Sequence, residues 1–149
     1  IGGEAGGGPA IGHATLDVLR IEAGQPRWGG ELDETTIPLE AGLRQRAISE
    51  SKGCYTGQEV IVRILHRGHV NRHLRGVLLG DTAAPAHATE LYHDRRALGR
   101  ITSAAWSPRM QQAIALAYVR REVTPPATVH LGSETGAAVR VVELPFVAT

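Results

Sequence analysis

The run Lys52-Gly53-Cys54-Tyr55-Thr56-Gly57-Gln58-Glu59 places the only cysteine of this 149-residue chain just ahead of a helix start. Thr56 and Glu59 have the spacing of a capping box, in which the threonine oxygen accepts from the third helical amide and the glutamate bonds back. The spacing predicts a helix over 57–67. Val60, Ile61, Ile64 and Leu65 recur at helical intervals, and Gly68 fits the left-handed position that ends many helices. Cys54 then sits outside the positive end of that helix and two residues from Lys52, the only lysine, and both features favour a thiolate. The competing reading is a buried thiol acting as a small hydrophobe, because free cysteine is among the most buried residue types.

Downstream of this helix the apolar pattern changes period. Leu74, Val77 and Leu79, then 97–103, 114–119, 128–131 and 137–142, are short apolar or alternating runs parted by Gly, Pro and Asp. Strands at this spacing predict a small antiparallel barrel or sandwich. Ser103 to Met110, with Trp106, Ser107 and Pro108, reads as a hairpin connection with an exposed turn and a structural role. Arg120, Arg121 and Glu122 read as a solvated rim after a strand.

Upstream, a helix is expected from His13 to Ala23 with Leu16, Leu19 and Ala23 on one face, stopped by Gly24 and Pro26. Residues 25–37 carry Pro26, Gly29, Gly30, Glu31, Asp33 and Glu34 and read as a surface loop. Pro38 suits the first turn of a short helical segment over 39–43. Ile1 to Pro9 holds glycine at five of nine positions and reads as a flexible lead or a loop out of context.

Composition sets limits on function. With 42% apolar residues the chain is long enough for a real core in one or two small domains. No apolar run approaches the roughly 20 residues that span a bilayer, and no leader is evident, so no membrane partner is expected and the cytoplasm is the default location. A single cysteine excludes an internal disulfide and a C-x-x-C metal site. A net charge of +1 implies no long-range attraction to nucleic acid. Locally, Arg63, His66, Arg67, His69, Arg72, His73 and Arg75 follow one another without an acid. This is either a solvated basic face that complements the helix dipole or an anion site built on Arg63, Arg67 and Arg72. The lack of interleaved aromatics argues against nucleic acid. His66 and His69 lack a third ligand of matching spacing, so no metal is expected. Phosphate-loop, nucleophile-elbow and zinc-protease motifs are absent.

The octapeptide resembles the K-G-C-Y-x-G-Q-E hallmark of the YgfZ-type folate-binding proteins, matched by Lys52, Gly53, Cys54, Tyr55, Gly57, Gln58 and Glu59. The likeness extends over most of the chain, through Leu19-Arg20-Ile21-Glu22-Ala23-Gly24, Ile37-Pro38-Leu39-Glu40-Ala41-Gly42-Leu43 and Leu144-Pro145-Phe146. These flanking runs are shared with the T-protein of the glycine cleavage system, an aminomethyltransferase that uses tetrahydrofolate. T-proteins usually carry aspartate and phenylalanine at the positions of Cys54 and Tyr55, which argues for the YgfZ-like branch.

The resemblance implies an α+β architecture in which 1–69 is the C-terminal part of a T-protein-like folate-binding domain, helical and mixed, and 70–149 is a small antiparallel β-barrel. It also implies a C-terminal fragment, with the T-protein's catalytic aspartate lying in an N-terminal half upstream of Ile1. The cofactor it implies is tetrahydrofolate or a derivative, with Arg20 against the pterin; the anion read for the basic patch from its residues is a folate's glutamate tail or a phosphate of RNA. Read from the residues alone, Arg20 instead forms a salt bridge to Asp17, to Glu22 or to another domain, and Trp28 covers apolar surface or stacks on a flat ligand.

The function implied is support of iron-sulfur cluster assembly or maintenance, and of the tRNA modification that depends on it, with Cys54 as a functional thiol and iron-sulfur client proteins as partners. One alternative is a tetrahydrofolate-dependent aminomethyltransferase. The other is a non-enzymatic RNA- or protein-binding module.

Overall fold

The strand Gln112–Arg120 shows most directly how this sequence builds its fold. Its alternate residues differ in size: Ala113, Ala115, Ala117 and Val119 lie in one apolar cluster, and Ile114, Leu116 and Tyr118 in another. A strand sends successive side chains to opposite faces, so this one is buried on both sides.

The computed structural model describes residues 11–49 and 52–146. Among these the helices are α1 (His13–Glu22), α2 (Arg44–Ala47) and α3 (Gln58–Arg67). The strands are β1 (Arg72–Gly80), β2 (Glu90–His93), β3 (Arg96–Ser107), β4 (Gln112–Arg120), β5 (Ala127–Leu131) and β6 (Ala138–Val142). They form a closed antiparallel barrel in the order β1-β4-β3-β2-β5-β6, with β6 returning to pair with β1. Val77, Leu79, Leu91, Ile101, Val129, Val139 and Val141 join the small residues of β4 in its interior. The expected antiparallel barrel is therefore observed, with few helices beside it.

Helix α1 packs on the outside of β3 and β4. Its last turn inserts Ile21, which is fully buried, among Leu74, Ile114, Leu116 and Tyr118. The expected inner face was different: Leu16 and Leu19 are 53% and 49% exposed. Contact is made by the C-terminal end of the helix, where Gly24 at φ +64° turns the chain away. Leu144 and Phe146 of the C-terminal tail cover the same cluster, and the Phe146 amide donates to the Glu22 carbonyl at 3.1 Å.

Several expectations are corrected. The capping box does not form: Gly57, at φ +85°, is the N-cap of α3 and no side chain caps it. The left-handed glycine sets the entry, and Gln58 Oε1 instead accepts from the Tyr55 amide at 3.3 Å. Gly68 is extended, at φ −134°, not left-handed. Residues 39–42 form turns, and the short helix follows them over Arg44–Ala47. Trp106 and Ser107 belong to β3, so the hairpin turn narrows to 108–111. Strand β2 had no counterpart in the sequence reading. The glycine-rich lead, Ile1 to Pro9, lies outside the described residues.

Candidate functional site

Three carboxylates, Glu22, Glu31 and Glu40, are buried on the outer face of the barrel beneath α1 and the 25–43 segment. A buried carboxylate is costly unless its oxygens are hydrogen-bonded, and each of these has a donor. Ser107 Oγ donates to Glu22 Oε1 at 2.5 Å and in turn accepts from the Met110 amide at 3.0 Å. Arg72 Nε donates to Glu40 Oε2 at 2.8 Å, and its guanidinium lies 4.6 Å from the centroid of the Tyr118 ring.

Glu31 has the densest set. Arg20 Nη1 donates to its Oε2 at 2.9 Å, the Arg27 amide to the same oxygen at 3.0 Å, and Ser103 Oγ to Oε1 at 2.5 Å. Ser103 Oγ also accepts from Arg20 Nη2 at 2.7 Å, which closes a ring of three side chains from α1, the loop and β3. Arg20 further donates from Nε to Asp17 at 2.5 Å and from Nη1 to the Gln25 carbonyl at 3.3 Å. Arg27 holds Asp17 from the other side at 3.2 Å. Below them the Tyr118 hydroxyl donates to the Glu31 carbonyl at 2.9 Å. Burial pushes the Tyr118 phenol up to about 12, with the nearby carboxylates of Glu40, Glu31 and Asp33 adding to the rise and Arg72 opposing it.

Arg20 therefore has the Asp17 partner read from the residues, while Glu22 turns to Ser107. Trp28 is 67% exposed on the same loop. Glu31, Glu40, Ser103 and Tyr118 were not singled out in the sequence. Ser103, read both as the end of the strand run 97–103 and as the start of the hairpin connection, lies within β3.

The octapeptide lies apart from this node. Cys54 is exposed, which corrects the reading of a buried small hydrophobe. Lys52 Nζ sits 4.6 Å from the centroid of the Tyr55 ring, so its charge is engaged in a cation–π contact. Glu59 occupies the first turn of α3, where a carboxylate complements the helix dipole. Arg63 is exposed on α3. Of the basic stretch that includes Arg63, Arg67 and Arg72, the last is bound to Glu40, and Arg75 pairs with Glu143 at 2.8 Å. His66 and His69 are exposed. Among the described residues, no helix is long and apolar enough to cross a membrane.

The fold that carries this node, a closed six-stranded antiparallel barrel, is one already seen in a solved structure. The chain superposes on glycine cleavage system aminomethyltransferase T from Bartonella henselae with a TM-score of 0.76 at 24% identity, over 88% of this chain and 37% of that one, a likeness of fold. Residues 72–148 match the glycine cleavage T-protein C-terminal barrel domain, and the chain belongs to that family. Aminomethyltransferase of Synechococcus sp. (strain WH7803) is 36% identical across 91% of this chain and 35% of its own length. That of Synechococcus elongatus is 35% identical across 95% and 36%, and that of Clostridium botulinum 33% across 98% and 38%. The chain thus spans little more than a third of the length of these relatives. They are named for aminomethyl transfer, the alternative of the sequence reading, rather than for iron-sulfur cluster work.

Proposed function

We propose that this chain is the C-terminal portion of a tetrahydrofolate-dependent aminomethyltransferase, with 1–69 contributing to a folate-binding domain and 70–149 forming the barrel that braces it. The family match over 72–148 carries the reading. Arg20 is the folate contact. It has five N–H donors, of which four meet partners among the described residues: one to Asp17, two to Gln25 and Glu31, one to Ser103. One Nη2 N–H remains, which fits a carbonyl or ring-nitrogen acceptor on a pterin edge, and the exposed ring of Trp28 offers a flat surface nearby in sequence. Bound tetrahydrofolate supplies the amine that receives the one-carbon unit. The residues of this chain bind and orient.

The test is titration of the chain with tetrahydrofolate, read by tryptophan fluorescence, beside the Arg20→Lys variant. Saturable quenching that the variant loses supports the assignment, and no quenching in either counts against it. Tetrahydrofolate-dependent product from an aminomethyl-loaded carrier protein then separates transfer from folate storage.

A second reading rests on the exposure of Cys54. As a YgfZ-like protein, the parent would support iron-sulfur enzymes through this thiol. Cells lacking the parent gene would then lose aconitase activity, restored by wild type and not by Cys54→Ala. Equal rescue by both removes the thiol from the account.

A further inference from the structure

We propose that Glu31 is the positioning residue of the Arg20 site: with Ser103 it fixes the guanidinium so that a single N–H is left for a ligand acceptor, and with Asp17 it cancels the charge, so that the edge taken there is neutral and not anionic. This rests on the reading of Arg20 as a folate contact.

Glu31 itself is immobilised twice. Its backbone is held by the Glu31 and Leu32 amides, which both donate to the Arg27 carbonyl at 3.0 Å, and by the Tyr118 hydroxyl on its own carbonyl at 2.9 Å. Its side chain is fully buried, with both oxygens occupied by three donors. A buried carboxylate with this many donors has one available orientation, and the Arg20 fork inherits it through the closed Arg20–Glu31–Ser103 ring.

The charge sum follows from the same contacts. Arg20 and Arg27 bring two positive charges, and Asp17 and Glu31 two negative ones. A phosphate or carboxylate entering here would find no net positive charge and one donor in place of the bidentate fork such groups favour. A neutral heterocyclic acceptor needs only the one N–H.

The experiment uses the 149-residue chain with wild-type, Glu31→Gln and Glu31→Asp sequences. The exchange rates of the Arg20 Nη1–H and Nη2–H protons, which Glu31 and Ser103 accept, are read by side-chain NMR, and affinities are read for tetrahydrofolate and for inorganic phosphate. Glu31→Gln keeps the shape and removes the charge. Slow exchange in the wild type, fast exchange in Glu31→Gln and partial recovery in Glu31→Asp support positioning. About tenfold weaker tetrahydrofolate binding, the scale of one lost charge-assisted hydrogen bond, and newly gained phosphate binding support the charge argument.

Unchanged Arg20 exchange with unchanged tetrahydrofolate affinity in Glu31→Gln overturns the proposal while leaving Arg20 as the folate contact. A wild type that ignores tetrahydrofolate overturns the folate reading, and the exchange rates still decide whether Glu31 sets Arg20. Should Glu31→Gln fail to fold, Ser103→Ala opens the ring from the other side. Unmoved Arg20 exchange in that variant overturns the proposal, and faster exchange supports it.

Discussion

Phe146 lies against Gly76 so closely that a Cβ on Gly76 would stand 2.7 Å from two of its ring carbons. The glycine in β1 is what lets the C-terminal tail seat an aromatic ring on the outer barrel face, in line with the Phe146–Glu22 backbone bond to α1. Gly76→Ala is expected to displace the ring and lower stability by about 1–3 kcal/mol, the usual cost of overpacking. Urea denaturation reads this directly. An unchanged midpoint would mean that the tail is not seated there in solution.

Arg72 and Glu40 join β1 to the loop before α2. Arg72→Ala leaves the Glu40 side chain, 9% exposed, without its charged partner. A loss of about 1–3 kcal/mol is expected, since stranding a buried acceptor costs its desolvation. Arg72 is itself 36% exposed in its side chain, which keeps the figure below that of a fully buried pair. Glu40→Gln in the Arg72→Ala background should recover part of the loss. A double-mutant cycle on thermal unfolding measures it, and purely additive losses would count against the pairing.

Tyr118 gives a pH signature. Its phenol is raised from 10.0 to about 12, chiefly by burial, so the folded state favours the protonated form. The resulting stability is fully present below pH 10 and is lost as pH rises through about 12. Absorbance titration of phenolate should show a late-ionising step that is lost in Tyr118→Phe, while Tyr92, raised by its hydrogen bond to Glu90, keeps its own delayed ionisation in that variant. That variant should also lose about 1 kcal/mol with its bond to the Glu31 carbonyl. All tyrosines ionising together near the ordinary value while the protein is still folded would refute the burial.

Cys54 is exposed ahead of α3. It is expected to react fully with a thiol reagent in native buffer, and Cys54→Ser should leave the unfolding temperature unchanged within error, because no packing is removed. Protection that vanishes only on adding urea would put the thiol in a buried setting instead.

The strands of the barrel were legible where alternation was long enough to read. Strand β4 announces itself through its small-large repeat. Strand β2, four residues with Glu90 and His93 at its ends, offers only Leu91 and Tyr92 as signal. The α3 boundary was near the mark, but Thr56 and Glu59 mimic a capping motif that Gly57 makes unnecessary. Arg20 and Asp17 were within reach of sequence reasoning because they share a helix. Glu31 and Glu40 were not, since nothing local separates them from Asp33 or Glu34, which are exposed. Their burial is decided by Ser103 and Arg72, 72 and 32 positions away.

The return of β6 to β1 has a consequence for how this chain meets other molecules. A cylinder with no terminal strand offers no open ladder onto which a second polypeptide could hydrogen-bond. Its lumen, filled by Val77, Ile101, Ala115, Val129 and Val141, leaves no channel for a solute. Strand addition to the barrel is thereby closed off, and α1 and the loop that carries Glu40 are held against its outer wall as against a rigid post.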